Sequence, residues 1–436
     1  MNSVSRCLAD LTVKLGRYSP EVLLANAGKP VLRLPVAYYS SATAIVKDVV
    51  IVSALRTPIG SFRSSLASLP APRLGAAAIK AAVDKAGIKP EDVDQVYMGC
   101  VGQAGVGQAP ARQAALFGGL PISTPCTTVN KVCASGLKAV MMAAQSLQCG
   151  HTHIMVAGGM ESMSNVPYYM ERGETPYGGI RLIDGIVHDG LWDVYNKVHM
   201  GVCAENTAKK LKISREEQDE YGISSYKRTA EAHQQGLFKT EIIPVSVPGK
   251  KGKPNVEVKD DEEYHRVNFE KFKTLSTVFM KEGGTVTAAN ASTLNDGACA
   301  LVLTTGAEAE RRGLKPLARI VGLADAATEP IDFPIAPVFA TNKLLELTGV
   351  KKEDVAMWEV NEAFSVVVLA NMKMLDIPHS KVNIHGGAVS LGHPIGMSGA
   401  RILAHLVHSL KAGEKGVASI CNGGGGASAM IIEKIA

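Results

Sequence analysis

The chain contains 436 residues, of which 46% are hydrophobic and 20% are charged, and its formal net charge is +5. This composition supports a sizeable buried core and excludes a disordered protein. The small net charge leaves no basic footprint for nucleic acid, and no uninterrupted apolar run of about 18 residues predicts a membrane span. The eight cysteines form no CxxC pair and match no zinc spacing, so we expect reduced thiols.

The N-terminal segment differs from the rest of the chain. Residues 1–44 carry five Lys or Arg and two acidic residues, and they end in YYSSATA. This composition is typical of a mitochondrial transit peptide, which predicts the mitochondrial matrix as the location. A disordered cytosolic extension is the alternative, since two acidic residues are present.

Folded sequence is predicted to begin with VKDVVIVSALRTPIG (46–60), an apolar strand followed by a turn. The next predicted helix and strand end in KAGIKPEDVDQVYMG (85–99). In NKVCASG (130–136), Cys133 then lies where the chain turns into a helix. The positive end of the helix dipole and unpaired N–H groups favour a thiolate there, so Cys133 is a candidate nucleophile. A packed cysteine at a tight turn is the alternative.

A more polar segment, 162–285, follows a further strand. It includes SREEQDEYGISSYKRTAEAHQQG (214–236), which predicts an exposed amphipathic helix, and a charged, turn-rich stretch. The segment interrupts a pattern that resumes after it, so we interpret it as an insertion.

The C-terminal part repeats features of the N-terminal part. LTGVKKEDVAMWEVN (347–361) resembles residues 85–99, and GMSGARILAHLVHSLKAG (396–413) parallels residues 133–150 at nearly the same offset. Two independent matches indicate an internal duplication, and alternating strands and helices predict an α/β fold. The predicted halves are 45–161 with 286–312, and 313–436.

Three turns of the second half carry candidate residues. In WEVNEAF (358–364), Asn361 follows an apolar strand and could hold a water or a substrate carbonyl, or cap a helix. In NIHGGAVSLGHPIGMSG (383–399), His393 lies in the counterpart of the Cys133 turn. If a pseudo-twofold axis relates the halves, His393 meets Cys133 and can act as its base. A helix-capping histidine is the alternative.

The third turn is SICNGGGGASA (419–429), where Cys421 ends a predicted strand and four glycines follow. Glycine permits backbone N–H groups to converge on an anionic oxygen. A tight turn that requires positive φ is the alternative.

Together, these four motifs resemble the signatures of the thiolase family in order and spacing, from about residue 46 to the C-terminus. The resemblance is to the mitochondrial biosynthetic type. It implies a five-layered αβαβα fold with an inserted loop domain at 162–285, assembled as a homotetramer. It also implies an acyltransferase that condenses two acetyl-CoA to acetoacetyl-CoA and CoA and catalyses the reverse thiolysis.

The resemblance implies a role for each catalytic residue. Cys133 takes the acyl group as a thioester, and His393 removes the proton of the thiol. Cys421 takes the α-proton of the second acetyl-CoA. The backbone N–H groups of Cys133 and Gly423 form one oxyanion hole, and His393 with a water on Asn361 forms the other. No covalent cofactor is implied.

The resemblance further implies two binding sites. The coenzyme A and acyl site comprises Tyr226, Arg266, Val267, Asn268, Lys271, Ser292, His199, Met200 and Phe333. Asn268 stands where an aspartate is expected, so its own contact stays open, and Phe333–Pro334 resembles the element that admits 2-methylacetoacetyl-CoA. The potassium site comprises Tyr226, Ala288, Ala289, Ala291 and Val389, mostly through backbone carbonyls; an ordinary turn is the alternative.

Three other functions are alternatives to this predicted acyltransferase. A degradative 3-ketoacyl-CoA thiolase would have a longer acyl pocket. A β-ketoacyl synthase shares the fold, but it uses a second histidine where this chain has Cys421. A non-catalytic lipid or coenzyme A carrier is expected to lack one of Cys133, His393 and Cys421.

Overall fold

A computed structural model describes residues 47–174, 176–249 and 252–436, so the predicted transit peptide at 1–44 lies outside the described residues. The strands are β1 (Val49–Arg56), β2 (Gly60–Ser61), β3 (Gln95–Gly99), β4 (Cys126–Val129), β5 (Ile154–Ser162), β6 (Tyr168–Tyr169), β7 (Ile183–Asp184), β8 (Trp192–Asp193), β9 (Val198–His199), β10 (Val245–Val247), β11 (Val256–Val258), β12 (Asn295–Thr305), β13 (Ala318–Ala327), β14 (Val355–Val360), β15 (Lys415–Asn422) and β16 (Gly426–Lys434).

The α-helices are α1 (Ala71–Ala86), α2 (Pro110–Phe117), α3 (Ser135–Gln148), α4 (Met200–Leu211), α5 (Arg215–Gln234), α6 (Gly306–Arg312), α7 (Ala336–Thr348), α8 (Ser365–Leu375), α9 (Ala388–Leu391) and α10 (Ser398–Ser409). Short 3₁₀ turns lie at Pro90–Asp92, Met163–Asn165, Glu263–Arg266, Phe269–Thr274, Pro330–Ile335, Lys352–Asp354 and His379–Lys381, and a π turn lies at Val187–Leu191. No helix in these described ranges is long and apolar enough to cross a bilayer.

The order of strands in the main sheet repeats itself about its centre. Nine strands run β14-β15-β16-β13-β1-β12-β5-β3-β4, and β2 pairs with β12. The two halves join where β1 and β13 pair antiparallel, with Val50 opposite Arg319. Moving outward from that seam, β12, β5 and β3 mirror β16, β15 and β14. The segments that match in sequence therefore occupy equivalent places, which confirms the predicted duplication.

Helices cover both faces of each half and fill the space between the halves. Leu137 and Met141 on α3 and Leu403 and Leu406 on α10 share one buried cluster with the inner faces of both halves. Helices α1 and α2 cover the outer face of the first half, and α7 covers that of the second. If the strands of each half are counted as one layer, with α3 and α10 between the two layers, this arrangement gives the predicted order of helix, sheet, helix, sheet and helix.

The segment between β5 and β12 is tied to the core by a buried ion network. The Arg56 guanidinium donates to Glu241 at 2.6 Å and to the two carboxylate oxygens of Asp261 at 2.7 and 2.9 Å. Glu241 also accepts a contact from His405 Nδ1 at 2.9 Å, and Asp261 one from His233 Nε2 at 3.1 Å. Burial alone would raise the pKa of Glu241. The neighbouring His405 and Arg56 have the larger combined effect and lower this pKa to about 2. The network thereby fixes this segment against β1 and α10.

Helix α5 is the helix predicted at 214–236, but the prediction that it is an exposed amphipathic helix was wrong. It begins with a capping box in which the Ser214 and Glu217 side chains and backbone N–H groups bond reciprocally. Its buried face is largely polar and includes Tyr221 and Ser225, whose hydroxyls each donate to the buried Glu362 carboxylate at 2.7 Å. Hydrogen bonds from this polar face therefore help to hold α5 in place.

Candidate active site

The turns predicted to meet do meet, at a cavity with a volume of about 340 Å³. Cys133, His393 and Gly423 line it together with mainly apolar side chains. Cys421, near the end of β15, is fully buried, and burial raises the pKa of its thiol; the neighbouring Cys133 would raise it further if it were ionised. Residues from both halves and from the inserted segment thus share one site.

Cys133 lies on a strained turn two residues before α3 begins. Val132 has φ +47°, a conformation that a β-branched residue rarely adopts. The Ser135 hydroxyl secures the turn, because it accepts the N–H of Lys131 at 2.8 Å and donates to the carbonyl of Val132 at 2.5 Å. Strain of this kind is concentrated at functional sites, which favours the hypothesis of a reactive Cys133 over that of a packed cysteine.

Backbone N–H groups favour the thiolate of Cys133, as expected, but burial opposes it more strongly. Burial raises the pKa of this thiol to about 12, whereas the backbone N–H groups of Gly423 and of Cys133 itself lower it only in part. The thiol rests protonated because desolvation of the anion outweighs the helix N-terminus. Nucleophilic attack therefore requires a base.

His393 has the protonation state and tautomer of such a base. Its Nδ1 lies 2.6 Å from the Ser398 hydroxyl, which itself donates to the carbonyl of Pro394 at 3.0 Å. Because the Pro394 carbonyl is within reach of that hydroxyl hydrogen, we assign the imidazole hydrogen to Nδ1, which leaves the lone pair on Nε2. Nε2 is buried without a hydrogen-bond partner among the described residues. Burial and the charge of Arg401 lower the pKa of His393 to about 3, so the ring is neutral.

His393 does not cap a helix. Helix α10 starts at Ser398 after Met397, and no side chain caps it. The backbone N–H of His393 donates instead to Asn295 at 3.0 Å, which fixes the turn against β12. The alternative of a capping histidine is therefore excluded.

Asn361 offers an unsatisfied amide in the buried interior. Its side chain is 1% exposed, and neither its oxygen nor its nitrogen has a hydrogen-bond partner in the described structure. It is not a helix cap, since α8 begins at Ser365 after Phe364. Buried polar groups are normally satisfied, so a water or a substrate oxygen is the expected partner.

The glycine run after Cys421 forms a turn that aims a backbone N–H at the nucleophile. Gly424 and Gly425 have φ of +83° and +82°, and a Cβ on Gly425 would lie 2.2 Å from the carbonyl of Thr328. The N–H of Gly423 is directed to the Cys133 sulfur and lowers its pKa. The run is therefore a tight turn, and anion binding by its N–H groups stays a prediction.

Comparison with known proteins identifies the fold. A model of the thiolase N-terminal domain matches residues 49–307, and a model of the thiolase C-terminal domain matches residues 314–434. The chain belongs to the thiolase family.

Similar thiolases cover nearly the whole chain. "Acetyl-CoA acetyltransferase, mitochondrial" of Mus musculus is 68% identical over 92% of this chain and 93% of its own length. The Homo sapiens protein of the same name is 65% identical over 97% and 98%. The crystal structure of Acat5 thiolase from Ascaris suum in complex with coenzyme A is 48% identical, covers 89% of this chain and 100% of its own, and has a TM-score of 0.86. The predicted thiolase fold is thereby confirmed.

Four of the residues predicted to bind coenzyme A or the acyl group line the same cavity of this thiolase: His199, Met200, Ser292 and Phe333. His199 accepts the N–H of Gly201 on Nδ1 at 3.1 Å and stacks on Phe279 with ring centroids 4.7 Å apart. Sequence reasoning missed Phe279 and the further wall residues Leu191 and Ile395. They are isolated apolar positions without a local signal.

The remaining predicted coenzyme residues do not line this cavity. Arg266, Asn268 and Lys271 are exposed on the turns at 263–266 and 269–274, with Val267 between them. Asn268 has a structural use, because its Oδ1 accepts the N–H groups of Glu270 and Lys271 at 3.0 and 3.3 Å. These contacts do not require the aspartate that was expected at position 268.

Three of the five residues predicted to bind potassium lie together. Tyr226, Val389 and Ala289 pack in one small cluster with Phe272, whereas Ala291 packs in a neighbouring cluster and Ala288 is exposed. Burial raises the pKa of Tyr226, and the nearby carboxylates of Glu263 and Glu362 raise it further. Uncharged oxygens in a negative field suit a hard cation. The described residues contain no cluster of three His, Cys, Asp or Glu that could hold a metal instead.

Proposed function

We propose that this thiolase is an acetyl-CoA C-acetyltransferase of the mitochondrial matrix. It condenses two acetyl-CoA to acetoacetyl-CoA and CoA, and it cleaves acetoacetyl-CoA in reverse. The relatives' names support this activity and location, as does the composition of residues 1–44. The observation that carries the mechanism is a neutral His393 with a free Nε2 on the same cavity as the protonated Cys133 thiol.

The first step is acyl transfer to Cys133. His393 Nε2 takes the thiol proton as the sulfur attacks the thioester carbonyl of acetyl-CoA. The backbone N–H groups of Cys133 and Gly423 stabilise the developing oxyanion. The bond from the acyl carbon to the CoA sulfur then breaks, and the departing thiolate takes the proton back from His393.

The second step makes the carbon–carbon bond. His393 Nε2 first takes the thiol proton of Cys421, and the resulting thiolate takes an α-proton from the second acetyl-CoA. The protonated His393, with a water held on Asn361, stabilises the enolate oxygen. The enolate carbon attacks the acetyl group on Cys133, the bond from that group to the Cys133 sulfur breaks, and the departing thiolate takes the proton from His393.

The inserted segment supplies the coenzyme site in this proposal. The boundaries that we propose are 45–161 with 286–312 for one half, 162–285 for the insertion and 313–436 for the other half. Arg266 and Lys271 are exposed cations suited to the phosphates of coenzyme A. His199, Met200 and Ser292 would line the path of the pantetheine. Phe333 would contact the acyl group and influence acceptance of a 2-methyl branch.

Potassium would bind to oxygens of Tyr226, Ala288, Ala289, Ala291 and Val389. The cluster of Tyr226, Ala289 and Val389 near two carboxylates supports this assignment. When bound, the ion would order the segment that carries Ser292. We expect thiolysis to be faster in potassium chloride than in choline chloride at equal ionic strength.

We also propose a homotetramer. Strand β4 lies at the edge of the main sheet, where a second copy could continue the hydrogen bonding. A separate group of exposed apolar side chains could bury a second interface: Tyr168, Met170, Tyr177, Ile180 and Leu182. Light scattering of the purified enzyme tests the proposal, and a monomer at micromolar concentration would refute it.

The function is tested by thiolysis of acetoacetyl-CoA and of a long-chain 3-ketoacyl-CoA. We expect preference for acetoacetyl-CoA, and the opposite preference would favour the degradative type. Cys133→Ser should lose about 10³-fold or more in activity, because serine has no comparable anion near neutral pH. The exposed Cys149 ends the same helix, so Cys149→Ser is the matched control and should stay active. Near-normal activity of Cys133→Ser would refute the assignment.

A further inference from the structure

Glu161 is a buried carboxylate that the reaction scheme leaves without a role. It lies near the end of β5 and is 0% exposed. Its oxygens accept the backbone N–H groups of Val101, Gly102 and Gly396, each at 3.0 Å, and the Cys100 thiol lies 3.9 Å from Oε1. Among the described residues, no lysine or arginine forms an ion pair with it. Backbone donors therefore hold this charge in place.

These donors come from both halves of the molecule. Val101 and Gly102 follow β3 in the first half, whereas Gly396 belongs to the His393 turn of the second. The same carboxylate oxygen, Oε2, accepts the N–H groups of Val101 and Gly396. Glu161 thus joins the turn that carries the base to the half that carries the nucleophile.

The carbonyl of Gly396 shows how closely the two turns approach. A Cβ on Gly159 would lie 2.0 Å from it, one on Gly99 2.8 Å and one on Gly136 2.9 Å. Gly136 is in the first turn of α3, directly after the Cys133 turn. The backbone of the His393 turn therefore rests on glycines of the nucleophile's half, and Glu161 supplies the acceptor that fixes it there.

We propose that Glu161 is a positioning residue for the thiolase reaction, which holds the His393 turn at the distance from Cys133 that proton transfer requires. The inference rests on the proposed function. A misplacement of about 1 Å can reduce a rate by about 10²-fold, so such a contact has a measurable effect.

The charge of Glu161 and its hydrogen bonds should have opposite effects on the reactivity of Cys133. Burial raises the pKa of Glu161 to about 7 against its three N–H donors, and its charge raises the pKa of Cys133. If charge were the only influence, removal of it would favour the Cys133 thiolate and speed its reactions. If positioning dominates, removal of the acceptor slows them. The two accounts differ in sign.

Glu161→Gln and Glu161→Asp test the proposal. Gln replaces one acceptor oxygen with a donor group, and Asp withdraws both oxygens by one methylene. We expect kcat for acetoacetyl-CoA thiolysis to fall at least about tenfold in both, with KM within about twofold, because no coenzyme contact changes. Glu205→Gln is the control. Glu205 is 3% exposed and accepts the N–H groups of Thr285 and Val286, but not that of the His393 turn.

A double-mutant cycle identifies the residue through which Glu161 acts. If it acts through His393, Glu161→Gln/His393→Ala should be no slower than His393→Ala, to within about twofold. Alkylation of Cys133 by iodoacetamide gives the same comparison without a CoA substrate, and Glu161→Gln should react more slowly than the parent.

Four results would overturn the inference: unchanged kcat, faster alkylation, an additive loss in the double variant, or failure of both Glu161 variants to fold while Glu205→Gln folds. Inactivity of the parent on acetoacetyl-CoA would instead refute the proposed function, and the alkylation comparison would still decide the role of Glu161.

Discussion

Removal of the Ser398 hydroxyl should impair the base without touching either cysteine. The hydroxyl accepts from His393 Nδ1 at 2.6 Å while it donates to the Pro394 carbonyl at 3.0 Å. It is the contact that places the imidazole hydrogen on Nδ1. In Ser398→Ala the buried Nδ1–H has no acceptor, and leaving such a group unpaired costs about 1–3 kcal/mol.

With no acceptor at Nδ1, the hydrogen is no longer held there, and the tautomer with its hydrogen on Nε2 lacks the lone pair that must accept the thiol proton. To react, the ring must return to the less favourable tautomer. That return costs about the net worth of the lost hydrogen bond, ~0.5–1.5 kcal/mol, so kcat/KM should fall about 2- to 13-fold.

Thiolysis of acetoacetyl-CoA measures this loss directly. Thr348→Val is the matched control, because the Thr348 hydroxyl also donates to the carbonyl four residues earlier, at 2.8 Å, but belongs to α7 outside the active-site cavity. We expect the control to keep its kcat/KM within about twofold. Unchanged kcat/KM in Ser398→Ala, or an equal loss in both variants, would refute the tautomer argument.

Further predictions concern stability. The unfolded chain protonates His393 near its ordinary pKa of 6.5, but the native one only near about 3, so protons favour unfolding as the pH falls below 6.5. Between pH 7 and pH 5 the parent should therefore lose about 2 kcal/mol more unfolding free energy than His393→Asn in urea titrations; equal losses would contradict it. Gly425→Ala should cost at least ~2 kcal/mol more than Gly424→Ala, since both have positive φ but only the former meets a carbonyl; equal denaturation midpoints would count against this. Asp261→Asn, which breaks a fully buried ion pair, should cost about 3–5 kcal/mol, whereas Asp84→Asn at an exposed pair should cost less than ~1 kcal/mol; similar costs would show that burial is unimportant here.

The architecture could be predicted because the duplicated segments are recognisable from local sequence patterns. The match between residues 85–99 and 347–361 placed β3 and β14 in equivalent positions, and the match of the two helices placed α3 and α10 back to back. That equivalence led from a lone histidine to a base beside Cys133. Pattern and spacing are sufficient for such inferences because they record which faces of the chain are buried.

Long-range contacts could not be predicted in this way. The protonation state of Cys133 depends on burial by distant segments, which overrides the effect of its own helix. The donors to Glu161 lie 59, 60 and 235 residues away in the chain, so nothing in its surrounding sequence indicates them. From the sequence, the polar face of α5 was predicted to be exposed to solvent, because its partner, Glu362, lies 137 or more residues away in the chain.

The central claim is that an acetyl group passes through the sulfur of Cys133. The enzyme should be incubated with acetyl-CoA, quenched in acid and digested, and the modified peptide should then be located by mass spectrometry. We expect one acetyl group on the peptide that contains Cys133, and we expect it to be lost when CoA is added before the quench. An active enzyme that carries its acetyl group on another residue, or none at all under these conditions, would refute an acetyl-Cys133 intermediate.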